Sequence, residues 1–211
     1  AADALGMPDV VRLLRRGREL GRTAATEGVV ALGEAGIGNT TVAAALAAVL
    51  LDRPPEEMAG LGAGADTAMV ERKREVLLRA VSRARAEHGK GLSDPRRLLS
   101  ALGGPEICVL VGVVLGAAEA RSVVVLDGLA TTVAALLAVL LEPGASACLV
   151  AGQRSRETAH AAVLARLGLE PLLDLRIRSG EGAGAALAAG LLLAGLRVRR
   201  ETGRTERPTS S

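Results

Sequence analysis

The chain has 211 residues, a formal net charge of +3 and no Phe, Tyr or Trp, although hydrophobic residues make up 49% of it. That length suits one α/β domain with a single core. The net charge comes from residues 197–211, and no aromatic ring is present to stack on a base, so we expect no nucleic-acid partner. The longest apolar runs, 107–118 and 129–141, are shorter than the roughly 18 residues that a membrane helix needs. We therefore expect buried helices there and no contact with a membrane.

Apolar segments of helical spacing alternate along the chain with short runs of β-branched and aliphatic residues. This alternation predicts an α/β fold, a Rossmann-like parallel sheet with helices on both faces and with ligands at the carboxyl ends of its strands. We expect one domain over residues 1–199, with a leading helix within 8–27, a core over 28–199 and a disordered tail over 200–211. In chain order, the predicted helices are 8–25, 42–51, 69–87, 95–102, 105–120, 131–141, 157–167 and 184–198, and the predicted strands are 29–32, 123–126, 147–151 and 172–177.

Residues 33–41 form a glycine-rich turn, Gly-Glu-Ala-Gly-Ile-Gly-Asn-Thr-Thr, between the first predicted strand and an alanine-rich helix. Glycine lets the backbone adopt positive φ and approach a ligand, and the first amides of a helix have no partner within that helix. Such a turn is suited to an anion, and Asn39, Thr40 and Thr41 add side-chain donors for phosphate oxygens. A turn that only caps the helix is the simpler alternative.

The same turn has the spacing of a Walker A loop, Gly33-x-x-x-x-Gly38-Asn39-Thr40, with asparagine in the position of the lysine. A predicted strand that ends at Asp127 would then supply the aspartate that holds magnesium. The Walker lysine reaches the β- and γ-phosphates, and asparagine cannot supply its charge. The missing lysine therefore counts against a P-loop nucleotide-binding protein.

The turn also resembles the signature of the nicotinate-nucleotide:dimethylbenzimidazole phosphoribosyltransferase family, which makes the lower-ligand nucleotide of cobalamin. Further elements of that family occur in order over residues 28–196. They are Gly62-Ala63-Gly64-Ala65-Asp66 with Lys73, Gly103-Gly104-Pro105-Glu106-Ile107, Val124-Val125-Leu126-Asp127-Gly128, Gly152-Gln153-Arg154-Ser155-Arg156-Glu157 with His160, and Gly180-Glu181-Gly182-Ala183-Gly184-Ala185-Ala186.

The chain departs from the family pattern at several motif positions. Family members are longer at the amino end, and we expect the segment that helps form their base pocket to be absent from this chain. A degenerate, non-catalytic relative that binds a nucleotide or a partner chain is therefore the main alternative to an active enzyme. The substituted positions are Ala35 in place of methionine, Ala63 and Ala183 of threonine, Leu129 of an aromatic residue, Gln153 of histidine and Ala159 of glycine.

The resemblance implies transfer of phosphoribose from nicotinate mononucleotide to 5,6-dimethylbenzimidazole, which gives α-ribazole 5′-phosphate and nicotinate without a metal or another cofactor. It also implies a homodimer. Glu181, between two glycines, is the candidate general base, and we expect it to be partly buried. His160 is as much a candidate for helix packing as for a ligand contact. The candidate substrate-binding residues are Glu34 and Asp127 for ribose hydroxyls, Gly36, Gly38, Asn39, Thr40, Thr41 and Lys73 for phosphate, Ser155 for either, and Gly62, Gly64, Gly180 and Gly182 in the loops.

Both cysteines, Cys108 and Cys148, stand in apolar surroundings, which predicts two reduced thiols of the core. Reduced thiols are typical of the cytoplasm. We also find no basic segment followed by an apolar core and a cleavage site, so we expect a cytoplasmic protein.

Overall fold

The computed structural model describes residues 2–60, 67–177 and 179–202. The second glycine-rich loop, with Gly62 and Gly64, lies outside the described residues, and so do residues 203–211 of the predicted tail. The helices are α1 Met7–Ala25, α2 Asn39–Leu50, α3 Thr67–His88, α4 Pro95–Leu102, α5 Pro105–Glu119, α6 Leu129–Leu141, α7 Thr158–Leu167 and α8 Ala183–Glu201. The strands are β1 Val30–Ala31, β2 Val124–Leu126 and β3 Leu149–Ala151, and short 3₁₀ segments are Pro55–Met58, Gly89–Ser93 and Pro143–Cys148.

Helix boundaries follow local capping chemistry. The Asp94 carboxylate accepts a hydrogen bond of 2.9 Å from the Arg96 amide at the start of α4, and Pro95 occupies the first position of that helix. Gly103 ends α4, and Pro105 opens α5 two residues later. Helix α8 includes Arg200, so the helical part of the chain extends further toward the tail than the sequence predicts.

The three strands form a parallel sheet in the order β1-β2-β3. Val124, in the central strand, is in register with Val30 on one side and Leu149 on the other. Side chains alternate across the sheet, so Val124 packs into the main core while Val125 packs against Ala185 of α8. Helices α5 and α6 contact β2 on the face of the main core, and α8 contacts β1 and β2 on the opposite face. The predicted α/β class, with a parallel sheet covered on both faces, is confirmed.

The predicted last strand, 172–177, is wrong except at one position. Leu173 forms an isolated parallel bridge with Gln153, and the Leu173 amide donates to the Gly152 carbonyl at 3.0 Å. The chain then leaves the edge of the sheet, since Arg176 has a φ of 54°, in the left-handed region that an extended strand cannot contain. The segment still matters for the site, because it leads directly into the turn before α8.

The core is built from aliphatic side chains and alanine. Its largest fully buried members include Leu46, Leu98, Ile107 and Leu137, and Cys108 is buried among them while Cys148 is half-buried. Both cysteines are free thiols. Burial raises the pKa of the Cys108 thiol to about 12, which keeps it protonated near neutral pH. Within the described part of the chain, no helix has the length and hydropathy required to cross a bilayer.

Helices α1 and α5 approach each other through glycines. A Cβ on Gly17 would lie 2.9 Å from the Gly112 Cα, and a Cβ on Gly116 would lie 2.9 Å from the Arg22 amide nitrogen. Real Cβ atoms do not approach other heavy atoms that closely, so larger residues would force the two helices apart. Backbone-to-backbone packing of this kind replaces the area that aromatic side chains usually bury.

We predict that Gly112→Ala lowers the free energy of unfolding by roughly 1 to 3 kcal/mol, as expected for overpacking a close contact. The added methyl group would meet the Leu14 carbonyl and lie 2.8 Å from the Gly17 Cα, both on α1, so a side-chain rotation cannot relieve the clash. Gly190→Ala is the matched control, because a Cβ there meets nothing within 4 Å and alanine favours the helix. Urea denaturation measures both variants, and equal losses in the two would contradict the prediction.

Candidate functional site

The loops that follow the three strands and the turn that precedes α8 surround a cavity of about 340 Å³. It opens at the carboxyl ends of the parallel strands, where α/β sheets bind their ligands. Its volume falls in the lower part of the range of about 300 to 1,000 Å³ that small-molecule sites occupy. The walls are formed by Glu34, Ala35, Gly36, Gly38, Asn39 and Thr40 after β1, Asp127, Gly128, Leu129, Ala130 and Thr131 after β2, Gln153, Ser155, Arg156 and Glu157 after β3, and Ile177, Ser179, Gly180 and Glu181 before α8.

The glycine-rich turn after β1 is held together by Glu34. The Glu34 Oε2 atom accepts hydrogen bonds from the Gly36 amide, at 2.9 Å, and from the Asn39 side-chain amide. Gly38 has a φ of 88° and starts α2 without a side-chain cap. Among the described residues, the Asn39 and Thr40 amides have no acceptor, whereas the Thr41 amide donates to the Gly38 carbonyl at 2.9 Å. The Asn39 and Thr40 amides are therefore available to an anion in the cavity, and the positive end of the helix dipole adds to the attraction.

A buried ion pair supports this turn from the side of α3. The Lys73 ammonium lies 3.1 Å from Glu157 Oε2, and only 9% and 5% of these two side chains are exposed. Lys73 also donates to the Thr40 hydroxyl at 3.3 Å. The lysine thus lies next to the predicted phosphate position but is neutralised by a carboxylate, so it connects the turn after β1 to the start of α7.

Asp127, at the end of β2, caps α8 across the sheet. Its Oδ1 atom accepts hydrogen bonds from the Gly184 amide at 2.9 Å, the Ala185 amide at 3.2 Å and the Gln153 side chain at 3.2 Å. A carboxylate at a helix N-terminus is stabilised by the unpaired amides and by the helix dipole. The ribose contact predicted for Asp127 remains a prediction, and it would have to use the other carboxylate oxygen.

The turn before α8 brings Glu181 to the rim of the cavity. Gly180, Glu181 and Gly182 have φ values of 65°, 56° and 85°, so the chain is left-handed over three successive residues. A non-glycine residue in this region is uncommon and is found preferentially at functional sites. The turn before α8 touches the glycine-rich turn after β1 directly, because a Cβ on Gly33 would lie 2.5 Å from the Gly182 Cα.

The expected partial burial of Glu181 is wrong. The residue is exposed, and both of its neighbours are glycines, which have no side chain to cover it. Glu181 is part of the cavity wall, so its carboxylate can meet a ligand that is bound against the turn after β1.

The loop after β3 is organised by a buried histidine. His160 is only 1% exposed, and its Nδ1 atom accepts a hydrogen bond of 3.0 Å from the Ser155 amide. Burial, aided by the positive charge of Arg154, lowers the pKa of His160 from 6.5 to about 4. The imidazole is therefore neutral near pH 7, and it acts as a structural partner of Ser155.

The charges of the cavity wall are mostly negative. Four carboxylates, Glu34, Asp127, Glu157 and Glu181, share the wall with one guanidinium, that of Arg156. Lys73, behind the wall, is paired with Glu157, so the charge that remains is still negative. Backbone amides and hydroxyl groups therefore have to supply most of the attraction for a phosphate, while the carboxylates suit hydroxyl groups or a cationic ring. The one metal-like cluster among the described residues, Asp3, Glu87 and His88, lies outside this wall.

Most predicted site residues lie together in this cavity. Those in its wall are Glu34, Gly36, Gly38, Asn39, Thr40, Asp127, Ser155, Gly180 and Glu181, whereas Thr41, Lys73 and Gly182 lie next to it and Gly62 and Gly64 fall outside the described residues. Sequence reasoning did not assign a role to Glu157 or Thr132, although Glu157 belongs to a quoted motif. A glutamate at the start of a predicted helix looks like an exposed residue of the first turn, and only its burial against Lys73 identifies it.

We predict that the stability of the protein falls as the pH drops from about 6.5 to 4, partly because of His160. The unfolded chain protonates this imidazole near 6.5, whereas the folded protein resists protonation down to about 4, so acid favours unfolding in that window. At pH 5, the protonation of this histidine in the unfolded chain lowers the free energy of unfolding by about 2 kcal/mol relative to neutral pH. Urea titrations at several pH values should show a steeper acid loss in the parent than in His160→Gln. Parallel pH profiles of the two proteins would contradict the prediction.

Comparisons with known proteins agree with this geometry. A family model described as "Phosphoribosyltransferase" matches residues 1–207. A relative from Pseudomonas putida strain KT2440, named nicotinate-nucleotide–dimethylbenzimidazole phosphoribosyltransferase, is 46% identical over 181 residues, which is 85% of this chain and 50% of that protein. A protein of the same name from Thermus thermophilus is 44% identical over 197 residues, 92% of this chain and 57% of the relative.

Solved structures show the same relationship. The crystal structure of CobT from Thermus thermophilus superposes with a TM-score of 0.85 at 42% identity, covering 94% of this chain and 59% of that one. The chain thus spans between half and three fifths of the length of these relatives. The matched residues include the cavity described above, and the chain therefore belongs to the phosphoribosyltransferase family of nicotinate-nucleotide–dimethylbenzimidazole phosphoribosyltransferases.

Proposed function

We propose that this protein transfers phosphoribose from nicotinate mononucleotide to 5,6-dimethylbenzimidazole, giving α-ribazole 5′-phosphate and nicotinate. The observation that carries the proposal is the shared cavity, in which an uncapped helix N-terminus faces an exposed carboxylate on the neighbouring turn. Family membership and the names of the relatives point to the same substrates.

The turn after β1 is suited to hold the phosphate of the donor. Gly38 and the first turn of α2 present amides, and the Thr40 hydroxyl adds a donor held in place by Lys73. Binding the phosphate fixes the ribose over the cavity, which aligns its C1′ atom with the incoming base. The Glu34 carboxylate, ordered by the turn itself, is placed to accept a hydrogen bond from a ribose hydroxyl.

Glu181 is the proposed general base. One ring nitrogen of dimethylbenzimidazole attacks C1′, and the bond from C1′ to the pyridinium nitrogen breaks. The electron pair of that bond stays on the ring nitrogen, which becomes neutral as nicotinate leaves. The proton on the other ring nitrogen of the attacking base passes to the Glu181 carboxylate. The negative wall of the cavity also favours the positively charged pyridinium ring of the donor over neutral rings.

Two alternatives make different demands on the same cavity. A P-loop nucleotide-binding protein would need a cation on its phosphates, but asparagine stands in the lysine position and the nearby Lys73 is paired with Glu157. A degenerate, non-catalytic relative would keep the phosphate turn and lose turnover. The substituted motif positions, such as Gln153 in place of the family histidine, are the reason to test for it.

The test supplies the chain with nicotinate mononucleotide and dimethylbenzimidazole and measures nicotinate and α-ribazole 5′-phosphate by chromatography, with calorimetry on the mononucleotide and on magnesium ATP. Formation of both products supports the proposal. Binding of the mononucleotide without products favours the non-catalytic relative. Binding of magnesium ATP without binding of the mononucleotide would favour the P-loop alternative.

We predict that Glu181→Gln lowers turnover by roughly 10²- to 10⁴-fold, the usual contribution of a general base. Binding of nicotinate mononucleotide should change little, because the phosphate is assigned to the turn after β1. The matched control is Glu170→Gln, which removes an exposed carboxylate outside the cavity wall and should leave turnover unchanged. Thr40→Val should show the opposite pattern and weaken binding first. Full turnover of Glu181→Gln at saturating substrates would remove this residue from the mechanism.

We also propose that the protein is a homodimer in the cytoplasm. Helix α8 exposes the apolar side chains of Leu187, Leu191 and Val198, each about half exposed and, by helical spacing, on one face of the helix. An exposed apolar helix face of this kind favours association. Light scattering at micromolar protein tests the dimer, and a monomer mass would count against it. The free thiols of Cys108 and Cys148 are consistent with a reducing compartment, which cell fractionation can test.

A further inference from the structure

His160 makes two hydrogen bonds whose directions fix its tautomer. An amide can only donate, so the Ser155 N–H, 3.0 Å away, requires an unprotonated Nδ1 atom. The neutral imidazole then carries its proton on Nε2, which lies 3.0 Å from the Thr132 hydroxyl oxygen. His160 therefore donates to Thr132, and both residues are fully buried.

Thr132 connects His160 to the loop after β2. The Thr132 hydroxyl oxygen accepts the hydrogen bond from His160, and its own proton is donated to the Gly128 carbonyl at 2.8 Å. The chain of donors runs from the Ser155 amide through His160 and Thr132 to Gly128, and it joins the loops after β3 and β2 on the two sides of the cavity. A Cβ on Gly128 would lie 3.8 Å from the Ser155 hydroxyl oxygen, so these loops are in contact.

The Ser155 hydroxyl is the group that this chain positions. Its oxygen accepts a hydrogen bond of 3.2 Å from the Glu157 amide, and in the described part of the protein the hydroxyl proton has no acceptor. Ser155 is part of the cavity wall, whereas Thr132 is not. An oxygen that is held in place, and whose proton has no acceptor among the described residues, can donate to a ligand in the cavity.

We propose that His160 and Thr132 are positioning residues that hold Ser155 as a hydrogen-bond donor to the oxygens of a ribose phosphate in the cavity. The identity of that ligand rests on the proposed function, whereas the tautomer and the order of the loop do not. If His160 and Thr132 had only a structural role, their mutual hydrogen bond would be enough to explain them. The proposal adds that their loss weakens ligand binding.

The first test concerns the tautomer. Long-range nitrogen–proton correlation spectra distinguish a protonated from an unprotonated imidazole nitrogen, and the chain has only two histidines, so His88→Gln assigns the signals. We expect the proton of His160 on Nε2 in the protein at neutral pH. A proton on Nδ1 would overturn the proposal, because the Ser155 amide could not then be bound.

The second test compares Thr132→Val with Thr132→Ser. Valine keeps the shape and removes the hydroxyl, so we expect roughly 3- to 10-fold weaker binding of nicotinate mononucleotide by calorimetry, the effect of losing about one hydrogen bond. We also expect faster hydrogen exchange of the Ser155 amide. Serine keeps the hydroxyl and should restore both. Ser100→Ala is the matched control, because it removes a buried hydroxyl that donates to the Leu5 carbonyl at 2.7 Å, and Ser100 is not in the cavity wall.

The outcomes separate this proposal from the proposed function. If the parent binds the mononucleotide without turnover and Thr132→Val binds it more weakly, the positioning role is supported and the proposed transfer reaction is rejected. If the parent turns over and Thr132→Val matches it in the KM for the mononucleotide, the positioning role is overturned and the reaction stands. Equal losses of binding in Thr132→Val and Ser100→Ala would also overturn it, since they would reflect lowered stability. Failure of the parent to bind the mononucleotide would overturn both.

Discussion

The site depends on the carboxylate of Asp127. One oxygen at the end of β2 gathers the first amides of α8 and the side chain of Gln153 from the loop after β3. Buried polar groups need hydrogen-bond partners. The three hydrogen bonds supply donors for the buried charge of Asp127 and an acceptor for the first amides of α8, which has no other side-chain cap. Since Glu181 lies just before α8, the position of the proposed base is set by a residue that follows β2, more than 50 residues earlier in the chain. A substitution of Asp127 would therefore disturb the base as well as any ribose contact.

A core without aromatic side chains can still form a firm base for these loops. Alanines and glycines let helices approach until backbones touch, as α1 and α5 do, and close packing restores the contacts that large rings would have made. The consequence is low tolerance for added volume at the helix contacts. The loops of the site are positioned by a sheet whose central strand, β2, is buried on both faces.

The cavity divides its tasks between backbone and side chains. Amides at the start of α2 are suited to a phosphate, and carboxylates elsewhere in the wall are suited to hydroxyl groups, a cationic ring or a proton. The polar side chains behind the wall are paired: Lys73 with Glu157, and His160 with Thr132. Gln153 is the exception, since its Oε1 atom is buried without a partner among the described residues. Its amide orientation is nevertheless set by Asp127, because the carboxylate requires the NH₂ group on its side.

The sequence by itself determined the class of fold, the glycine-rich turn and the loops that carry site residues, because apolar periodicity and turn residues act locally. It also predicted correctly that these loops meet, since parallel strands place their carboxyl ends at one edge. Only the tertiary structure decided the rest. In the structure, residues 172–177 do not form a strand, because Arg176 has a left-handed backbone, and Glu181 is exposed. Asp127 caps a helix whose bonded amide, that of Gly184, is 57 residues away. The tertiary structure also paired His160 with Thr132 and Glu157 with Lys73. Partners so distant along the chain leave no local pattern, because the energy that joins them arises only when packing has excluded water from both.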